Sequence, residues 1–550
     1  MLSVGPRGAD SGISVQALEL RIEIDILGLL PPIGLGGLER RALRRFRRRL
    51  LFGYRLNHFL LLLHGVGDGN LIGNVFAVLH GPSIPVDLAV KRHASASHPI
   101  SETARAELRT ALSPTVSRAR DGGYAGYTGQ QSFGPGRLCR ELGTWLMQIA
   151  MVSGASSPLS SRQRTRDGQT TGLSAALARC GHRVTVYGRR DDPGLPDRVE
   201  TPHGFDVVHV DAGPAENLSA RTMLQHMGRF ARYLHGQWTI ARPDVVHVHS
   251  WVTGIPTQLA AKQLGIPVVQ SFHALDAAQR RLSCAEITSP PERHQMERML
   301  ARQADWVVAA CTEQVSELIR MGRPRARISV VPCGVDVDLF TPAGHEAPSD
   351  RRRRIVGIGS LVPRSGFDVV VGALPHLPNA ELLIVGWGGE GELKSHPEAR
   401  RLRLLAERLG IADRVLLCGS RTREQIPGLL QTADVVASTP WFEPAGIVAV
   451  EAMACGIPVV ASAVGAMLDI VVPDVTGRLV KPRRPEAAVN ALHDLIRDDF
   501  LRHSLGAAGR DRARSRYSWD RIGADTLRIY HRVAPDGHRG SVDGAVRACG

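Results

Sequence analysis

The segment Trp441-Phe-Glu-Pro-Ala-Gly-Ile-Val-Ala-Val-Glu-Ala-Met-Ala-Cys-Gly456 is the most informative part of the sequence. It follows the apolar run Asp434-Val-Val-Ala-Ser438, which predicts a buried strand, and a Pro/Gly turn separates that strand from an apolar helical pattern. This order puts Glu443 at the carboxyl end of the strand and Glu451 in the helix that follows. Because ligands of open parallel α/β sheets bind at that end, the segment predicts a ligand site.

The two carboxylates suit a polyhydroxylated ligand, because a carboxylate accepts paired hydrogen bonds from sugar hydroxyls. The amides of Gly446, Ile447 and Val448 stand at the predicted helix start, where N–H groups favour negative charge. The alternative interpretation is a capped core helix in which both carboxylates are structural.

Length and composition narrow the class of protein. A chain of 550 residues indicates more than one domain, and 43% hydrophobic residues supply a sizeable core. The net charge of +15 is typical of nucleic-acid or membrane partners, but only four of the 68 basic residues are lysines. Arginines spread along the whole chain indicate a coding bias, so no nucleic-acid partner is predicted.

The cysteines and the hydropathy indicate a cytoplasmic protein without a metal site. The eight cysteines are scattered and form no C-x-x-C pair. Free cysteines in apolar patterns behave as small hydrophobic residues. No uninterrupted apolar stretch reaches the roughly 20 residues of a membrane span. The run Phe59-Leu-Leu-Leu-Leu63 stops at His64.

Residues 1–146 differ from the rest of the chain, since they show no sustained alternation of strand and helix patterns. They mix glycine-rich runs with a basic cluster between Arg40 and Arg49. Three interpretations stay open. The first is a mis-assigned start, because Met147 directly precedes the first clear strand, and the second is disorder. The third is an amphipathic helix that makes peripheral contact with a membrane.

From Met147 onward, short β-branched runs alternate with amphipathic helical patterns, which predicts parallel sheets with covered faces. The predicted strands are 149–153, 183–187, 206–210, 244–249, 267–271, 305–310 and 328–332, and then 354–359, 381–386, 414–418, 434–438 and 458–462. Predicted helices include 172–180, 256–264 and 520–532. The expected parts are a first domain at 147–342, a linker at 343–353, a second domain at 354–514, a final helix within 515–535 and a tail at 536–550. Two such domains in series leave a cleft between facing carboxyl ends.

Six motifs in this order and spacing carry a family resemblance. They are Gly181-His-Arg-Val-Thr-Val186, Pro243-Asp-Val-Val-His-Val-His249, Val331-Pro-Cys-Gly-Val-Asp336, Glu443…Glu451, Ala461-Ser-Ala-Val-Gly465 and Tyr517-Ser-Trp519. With them, residues 147–535 resemble the retaining glycosyltransferases of family 4. The likeness is strongest to actinobacterial members related to D-inositol-3-phosphate glycosyltransferase and to sucrose-phosphate synthase. The resemblance implies the GT-B fold, in which two Rossmann-like domains face each other across a cleft and a C-terminal helix crosses back.

For the donor, the resemblance implies that Glu451 holds the ribose hydroxyls of a nucleotide diphosphate sugar. Glu443 and the amides of Gly446, Ile447 and Val448 are implied to hold the donor sugar.

For the reacting centre, His273 falls where the family has a histidine, within Ser271-Phe-His-Ala-Leu275. Arg293 matches a position that binds an acceptor phosphate. The alternatives from the residues alone are a structural histidine and a solvated arginine.

The phosphate clamp departs from the family pattern. The usual G-R-x-x-x-x-K-G is here Gly359-Ser-Leu-Val-Pro-Arg-Ser-Gly366, so Ser360 and Ser365 occupy the Arg and Lys positions. Arg364, one residue away, is a candidate substitute.

Two further departures concern the N-terminal domain. In the loop that usually has D-x-G-G-Q, Asp167 replaces the first glycine before Gly168, which places a negative charge toward a diphosphate. On the acceptor side, the family's Lys, Tyr and Thr positions are Ala220, Ser250 and Ala274.

The sequence therefore predicts a metal-independent, retaining hexosyltransferase that uses a nucleotide diphosphate sugar as co-substrate, without a cofactor, and an unidentified acceptor. Catalysis would rest on hydrogen-bond donors aimed at the leaving phosphate. The main alternative is a catalytically weak or inactive GT-B protein that binds a nucleotide sugar or a partner. A nucleotide-sugar epimerase of similar fold is a third hypothesis.

Overall fold

The structure of the protein is a computed structural model. It describes residues 146–153, 157–159, 167–282, 290–342, 352–387 and 393–534, together with strands at 58–67, 70–80 and 87–91. The three early strands belong to one structural unit, Met1–Thr128, and the other described residues belong to a second, Gly129–Gly550.

The first unit contains an antiparallel sheet of β1 (His58–Gly67), β2 (Asn70–His80) and β3 (Asp87–Lys91). The apolar run at 59–63 is part of β1. No strand is predicted here from the sequence pattern, because this run is continuous and does not alternate. The segment 1–146 is thus not irregular throughout. The basic cluster at 40–49, for which a membrane-contacting helix was proposed, lies outside the described residues. The disorder hypothesis likewise concerns residues outside the described part of the chain.

The second unit begins with a sheet whose strand order is β11-β10-β9-β8-β4-β5-β7-β6 within the described residues. Its strands are β4 (Gln148–Val152), β5 (Arg183–Arg189), β6 (Arg198–Glu200), β7 (Asp206–Val210), β8 (Val245–Val248), β9 (Val268–Ser271), β10 (Trp306–Ala309) and β11 (Ile328–Val330). Neighbouring strands are parallel except for the antiparallel pair β6 and β7.

Helices cover both faces of this sheet. They are α1 (Asp167–Arg179), α2 (Ala220–Leu224), α3 (Met227–Ile240), α4 (Trp251–Leu264), α5 (Asp276–Leu282), α6 (Arg293–Gln303) and α7 (Thr312–Arg320). Helix α4 begins five residues before the predicted start at Pro256, because the Ser250 hydroxyl caps it by accepting from the Val252 amide at 3.3 Å.

A second, parallel sheet has the order β14-β13-β12-β15-β16-β17 in the described part of the chain. Its strands are β12 (Arg353–Ser360), β13 (Ala380–Trp387), β14 (Val415–Cys418), β15 (Val435–Ser438), β16 (Val459–Ser462) and β17 (Gly477–Val480). Its helices are α8 (Phe367–Ala373), α9 (Pro397–Arg408), α10 (Gln425–Leu430), α11 (Ile447–Ala454), α12 (Met467–Ile470), α13 (Pro485–Arg497) and α14 (Asp499–Arg512).

The α/β prediction is confirmed, since each strand predicted after Met147 is present with its ends shifted by two residues at most. Two strands were missed. β6 is a short, largely exposed edge strand, and β17 begins with Gly477 and has only one β-branched residue. Neither carries an apolar pattern strong enough to be recognised from sequence.

The last helix, α15 (Trp519–Val533), crosses back onto the first sheet. Tyr530 is fully buried in the apolar cluster that contains Met151 and Leu177, and its hydroxyl is 2.7 Å from His247 Nδ1. The predicted helix at 520–532 is confirmed within one residue at each end.

The indole of Trp519, at the start of α15, fills a space that only glycine leaves open. A Cβ placed on Gly172 or Gly334 would lie 2.2 or 2.4 Å from the Trp519 ring. This close approach fixes α15 against the first domain.

Both sheets reverse their strand order at a central strand. The first reverses at β4, between β5 and β8, and the second reverses at β12, between β13 and β15. Ligands of open α/β sheets bind at the carboxyl ends beside such switch points. His249 follows β8 and Glu443 follows β15, so the fold places both side chains at these ends.

We expect acid to destabilise the protein partly through His247. Burial lowers the pKa of His247 to about 3, so the folded protein keeps this ring neutral while the unfolded chain protonates it near its usual pKa. The folded state then binds fewer protons, and stability falls as pH drops below about 6.5. Between pH 7 and pH 5 the linkage contribution is about 2 kcal/mol.

The measurement is urea denaturation at pH 7 and pH 5 for the wild type and for His247→Gln. The variant should show a smaller loss of unfolding free energy on acidification, whereas the exposed control His203→Gln should match the wild type. An unchanged pH dependence in His247→Gln would contradict the expectation.

Candidate active site

A cavity of about 340 Å³ lies between the carboxyl ends of the two sheets. The first domain contributes Gln169, His247, His249, Ser271, His273, Ala274 and Gln279, the second contributes Ser360, Arg364, Ser365, Glu443, Ile447 and Val448, and α15 contributes Trp519, Ile522 and Thr526. Of the residues proposed from the sequence, His273, Ser360, Arg364, Ser365, Glu443, Ile447 and Val448 are therefore on one cavity wall or the other.

The Glu443 carboxylate is held by its own turn. Its Oε1 accepts from the amides of Ala445 at 3.0 Å and Gly446 at 2.9 Å. Gly446 has φ of 66°, and a Cβ there would lie 2.2 Å from Ile470 Cδ1. Burial raises the pKa of Glu443, while the two amide bonds oppose the rise. The turn therefore presents a fixed, partly shielded carboxylate to the cavity.

The amides at the start of α11 divide into two groups. The Gly446 amide, expected from the sequence to face the donor, donates to Glu443 instead. Ile447 and Val448 line the cavity and belong to the first helical turn, whose N–H groups have no intrahelical acceptor. The helix start therefore still offers an anion-favouring surface.

Glu451, the second carboxylate of this segment, is set back from the cavity that Glu443 lines. It is buried in α11, does not line the cavity, and its Oε1 is 2.5 Å from Arg423 NH1. Arg423 also lies over the Phe340 ring, with its guanidinium carbon 5.1 Å from the ring centroid. Arg423 was not proposed from the sequence, because no motif joins it to a carboxylate 28 residues later.

The altered clamp forms a compact loop after β12. The Ser365 hydroxyl donates to the Ser360 carbonyl at 2.7 Å. Gly366 has φ of 70°, and a Cβ there would lie 1.9 Å from the Thr439 carbonyl oxygen, so only glycine allows the loop to pack on the end of β15. Arg364 is exposed at the cavity and is the one arginine or lysine on its described lining.

Gly168 is the second residue of α1 and does not line the cavity, whereas the next residue, Gln169, does. The Gly168 carbonyl accepts from the Thr171 hydroxyl at 3.3 Å. The side chain of Asp167 lies outside the described part, so the charge expected there has no described position.

Three histidines form a stack on the first domain. The ring centroids of His247 and His249 are 4.2 Å apart, and those of His249 and His273 are 6.1 Å apart. His247 Nε2 is 2.8 Å from the Ser271 hydroxyl. Burial lowers the pKa values of His247 and His249, so both rings are neutral near pH 7. Sequence reasoning selected His273 alone, although His249 stands in a quoted motif.

Arg293 lies behind the first-domain wall and does not line the cavity. It donates from Nε to Glu297 Oε1 at 2.7 Å, from NH1 to Gln279 Oε1 at 3.1 Å and from NH2 to the Ala274 carbonyl. Burial raises the pKa of Glu297 and the Arg293 charge opposes the rise. The structure therefore does not bring Arg293 to the cavity surface, where an acceptor phosphate would meet it.

The two domains touch through the start of α7. The Thr312 amide donates to Asp469 Oδ2 at 2.6 Å, and the Gly465 amide donates to Glu313 Oε2 at 2.8 Å. The neighbouring Ala466 amide donates to the Glu443 carbonyl at 2.8 Å. One loop of the second domain thus joins Glu443 to the opposite domain.

The described residues contain no group of three or more His, Cys, Asp or Glu side chains that could hold a metal ion. None of their helices is both long and apolar enough to cross a membrane. Cys311, Cys333, Cys418 and Cys455 are free, whereas Cys180 is disulfide-bonded, which the expectation of free cysteines did not include.

Known proteins are similar to this chain in sequence and in fold. The chain is 35% identical over 416 residues to the D-inositol 3-phosphate glycosyltransferase of Xylanimonas cellulosilytica, which covers 70% of this chain and 97% of the relative. For the enzyme of the same name from Mycolicibacterium smegmatis the identity is 30% over 419 residues, covering 73% and 94%.

Two solved structures have the same architecture. Sucrose-phosphate synthase from Thermosynechococcus elongatus superposes with a TM-score of 0.64 at 25% identity, covering 70% of this chain and 98% of that chain. Anabaena Alr3699/HepE in complex with UDP and glucose superposes with a TM-score of 0.55 at 20% identity, covering 70% and 100%, and it supports the fold alone.

Two facing parallel-sheet domains, a helix that crosses back and an acidic turn on the cleft define the class of GT-B glycosyltransferases. Residues 344–512 match the family of glycosyl transferases group 1, and residues 169–334 match the glycosyl transferase 4-like domain. The chain belongs to the family 4 glycosyltransferases and is an enzyme of that class.

We expect the contact between Glu313 and the Gly465 amide to stabilise the closed arrangement of the domains. A hydrogen bond to a charged group contributes roughly 1.5–3 kcal/mol, and partial exposure of Glu313 lowers this to about 1–2 kcal/mol. Glu313→Ala should therefore lower the unfolding free energy by that amount in chemical denaturation. Glu313→Gln should retain most of it, and Glu407→Ala on the exposed side of α9 should change little. An unchanged unfolding free energy in Glu313→Ala would contradict the expectation, and equal losses in the two variants would show that the charge of Glu313 is required.

Proposed function

We propose that the protein transfers a hexosyl group from a nucleotide diphosphate sugar to an acceptor hydroxyl with retention of the anomeric configuration. The observation that carries the proposal is the Glu443 carboxylate, held by two amides at a switch point and facing the cavity with Arg364 and His273. Sugar transfer is supported by two relatives that are named glycosyltransferases and that match this chain over 97% and 94% of their own length.

In the proposed reaction, the bond between the anomeric carbon and the diphosphate oxygen breaks. The acceptor oxygen forms its bond to that carbon on the same face, and the acceptor proton passes to the departing diphosphate. Products are a glycoside and a nucleoside diphosphate. No metal or cofactor takes part, and the nucleotide sugar is a co-substrate.

The side chains divide this work between the two walls. Glu443 accepts hydrogen bonds from the donor sugar near the carbon on which positive charge develops. Arg364 and the first turn of α11, at Ile447 and Val448, lie where negative charge on the departing diphosphate can be stabilised. His273 borders the same space from the acceptor side.

The nucleotide end of the donor is assigned to Glu451. Its carboxylate is oriented by Arg423 at 2.5 Å and is buried, so ribose hydroxyls would bind beside this ion pair and complete its hydrogen bonds. Arg423 thereby becomes a positioning residue for Glu451.

The direct test is donor hydrolysis by the purified full chain with a panel of nucleotide sugars, since hydrolysis needs no acceptor. Release of nucleoside diphosphate from one donor supports the proposal. A chain that neither hydrolyses nor binds any nucleotide sugar would overturn it.

We expect the two glutamates to separate catalysis from binding. Glu443→Gln keeps an oxygen for the Ala445 and Gly446 amides but removes the charge near the reacting carbon, so turnover should fall on the order of 100-fold while nucleotide affinity changes little. Glu451→Ala should mainly weaken nucleotide affinity, because the ribose is bound alike throughout the reaction. Initial rates and titration calorimetry with nucleoside diphosphate measure both effects. If both variants changed affinity alone, the assignment of Glu443 to the reacting sugar would be wrong.

The clamp favours a second candidate function, a weak or inactive transferase that binds a nucleotide sugar or a partner. The Ser365 hydroxyl donates to the Ser360 main-chain carbonyl. Arg364 is then the one arginine or lysine on the described lining of the cavity. A diphosphate would therefore meet one positive charge at this loop.

Restoring the clamp should distinguish the two functions. In Ser360→Arg/Ser365→Lys, each new charge-assisted hydrogen bond can contribute roughly 1.5–3 kcal/mol, so affinity for nucleoside diphosphate should rise about tenfold or more. Turnover should rise as well if phosphate stabilisation limits it. Phe500→Arg adds one positive charge on the exposed face of α14 and controls for a non-specific effect of added charge on nucleotide affinity. A double variant without improved affinity would show that Arg364 already suffices and would remove the main support for the weak-transferase function.

A further inference from the structure

The first-domain wall of the cavity has no lysine or arginine in its described part. Its polar members are histidine, glutamine, serine and cysteine side chains. Gln169 is already paired with the Gly334 main chain at 3.0 and 3.2 Å, and the Ser271 hydroxyl is 2.8 Å from His247. The described part of this wall is therefore polar and contains no lysine or arginine.

The nearest arginine behind this wall is committed to the fold. The Arg293 side chain is 13% exposed and Glu297 is 0% exposed, and they form an ion pair within α6. Arg293 also lies over the Trp251 ring, with its guanidinium carbon 5.7 Å from the centroid. Ala274 and Gln279, which bind Arg293, are themselves cavity-lining residues. A ligand on the wall therefore meets these two residues before it meets the guanidinium.

Withdrawing Arg293 toward a ligand would be unfavourable. The Glu297 carboxylate would be left buried with only the Asp276 amide, which donates to Oε2 at 2.8 Å. Breaking one side of a buried pair is strongly destabilising, because it leaves an uncompensated charge. The Asp276 carboxylate, itself buried and paired with Arg280, adds negative charge beside the pair. Behind this part of the wall, both nearby arginines are therefore already paired with buried carboxylates.

One polar atom on the wall is unpaired. His249 is 6% exposed and lines the cavity, and its Nε2 is buried without a hydrogen-bond partner in the described structure. A buried polar atom without a partner is unfavourable, so such an atom beside a cavity points to a ligand that supplies the bond. A hydroxyl can donate or accept, and it therefore matches either tautomer of a neutral ring.

We propose, resting on the transferase function above, that the acceptor is a neutral polyhydroxylated molecule. One of its hydroxyls hydrogen-bonds to His249 Nε2, and its recognition does not use Arg293. The Arg293–Glu297 pair is a specificity determinant that keeps phosphorylated acceptors out by withholding the cation they would need.

The test measures nucleoside diphosphate release by the full chain, with a donor that it hydrolyses, against matched acceptor pairs. The pairs are inositol, glucose and sucrose, each with its monophosphate ester, including D-inositol 3-phosphate. An occupant of the acceptor site changes release, either by accepting the sugar or by excluding water. At least one neutral compound should half-saturate at a concentration about tenfold below that of its ester.

The proposal fails if any ester half-saturates below its neutral partner, or if no neutral compound changes the rate. Release without an acceptor reports on the transferase function alone. A chain that releases nothing overturns both proposals, whereas release combined with a preference for esters overturns only this one.

Three variants locate the cause. Glu297→Gln frees the Arg293 charge, so the half-saturating concentration of the esters should fall about tenfold. Glu398→Gln, which removes an equally buried carboxylate from the Arg401 pair on α9, should leave it unchanged. His249→Phe should raise the half-saturating concentration of the neutral acceptor about tenfold.

If Glu297→Gln does not fold, Arg293→Leu/Glu297→Leu replaces the whole pair with apolar groups. The neutral acceptor should then half-saturate within about twofold of the parent value. A larger loss in the double variant, or an unaltered response to esters in a folded Glu297→Gln, overturns the assigned role of the pair.

Discussion

The hydrogen bonds from the Ala445 and Gly446 amides to the Glu443 carboxylate are the constraint on which the site depends. They close the turn after β15. Gly446, in the left-handed conformation, then directly precedes the first residue of α11. The Glu443 carbonyl in turn accepts from Ala466, whose neighbour Gly465 binds Glu313 of the other domain. The position of the Glu443 carboxylate is therefore set by the adjoining strand and helix and by the contact between the domains.

Ion pairing distinguishes Glu451 and Glu297 from Glu443. Glu451 is paired with Arg423, and Glu297 with Arg293, so the field of each is largely cancelled within the protein. Glu443 has amide dipoles in place of a cation. Neutral dipoles hold a carboxylate in place without cancelling its charge, which leaves that charge available to hydroxyls and to a developing positive centre.

The sequence predicted the sheets and the cleft because β-branched runs and apolar periodicity are local signals. The strand and turn pattern predicted a ligand-facing position for Glu443 after β15, whereas His273 was selected through the family resemblance, and both line the cavity. The partners of Glu451 could not be predicted, because Arg423 reaches it only through tertiary packing. The Arg293–Glu297 pair was also missed, although a spacing of four residues on one helix indicates an ion pair.

The crossing helix α15 supports the first-domain wall of the cavity from the C-terminal part of the chain. Tyr530 binds His247, which stacks on His249 and so supports the ring that faces the cavity. Helix α15 follows directly from the second domain. There Tyr517 packs in the same apolar cluster as α11, the helix that follows Glu443. The two walls are consequently joined twice, by this helix and by the contact at Glu313.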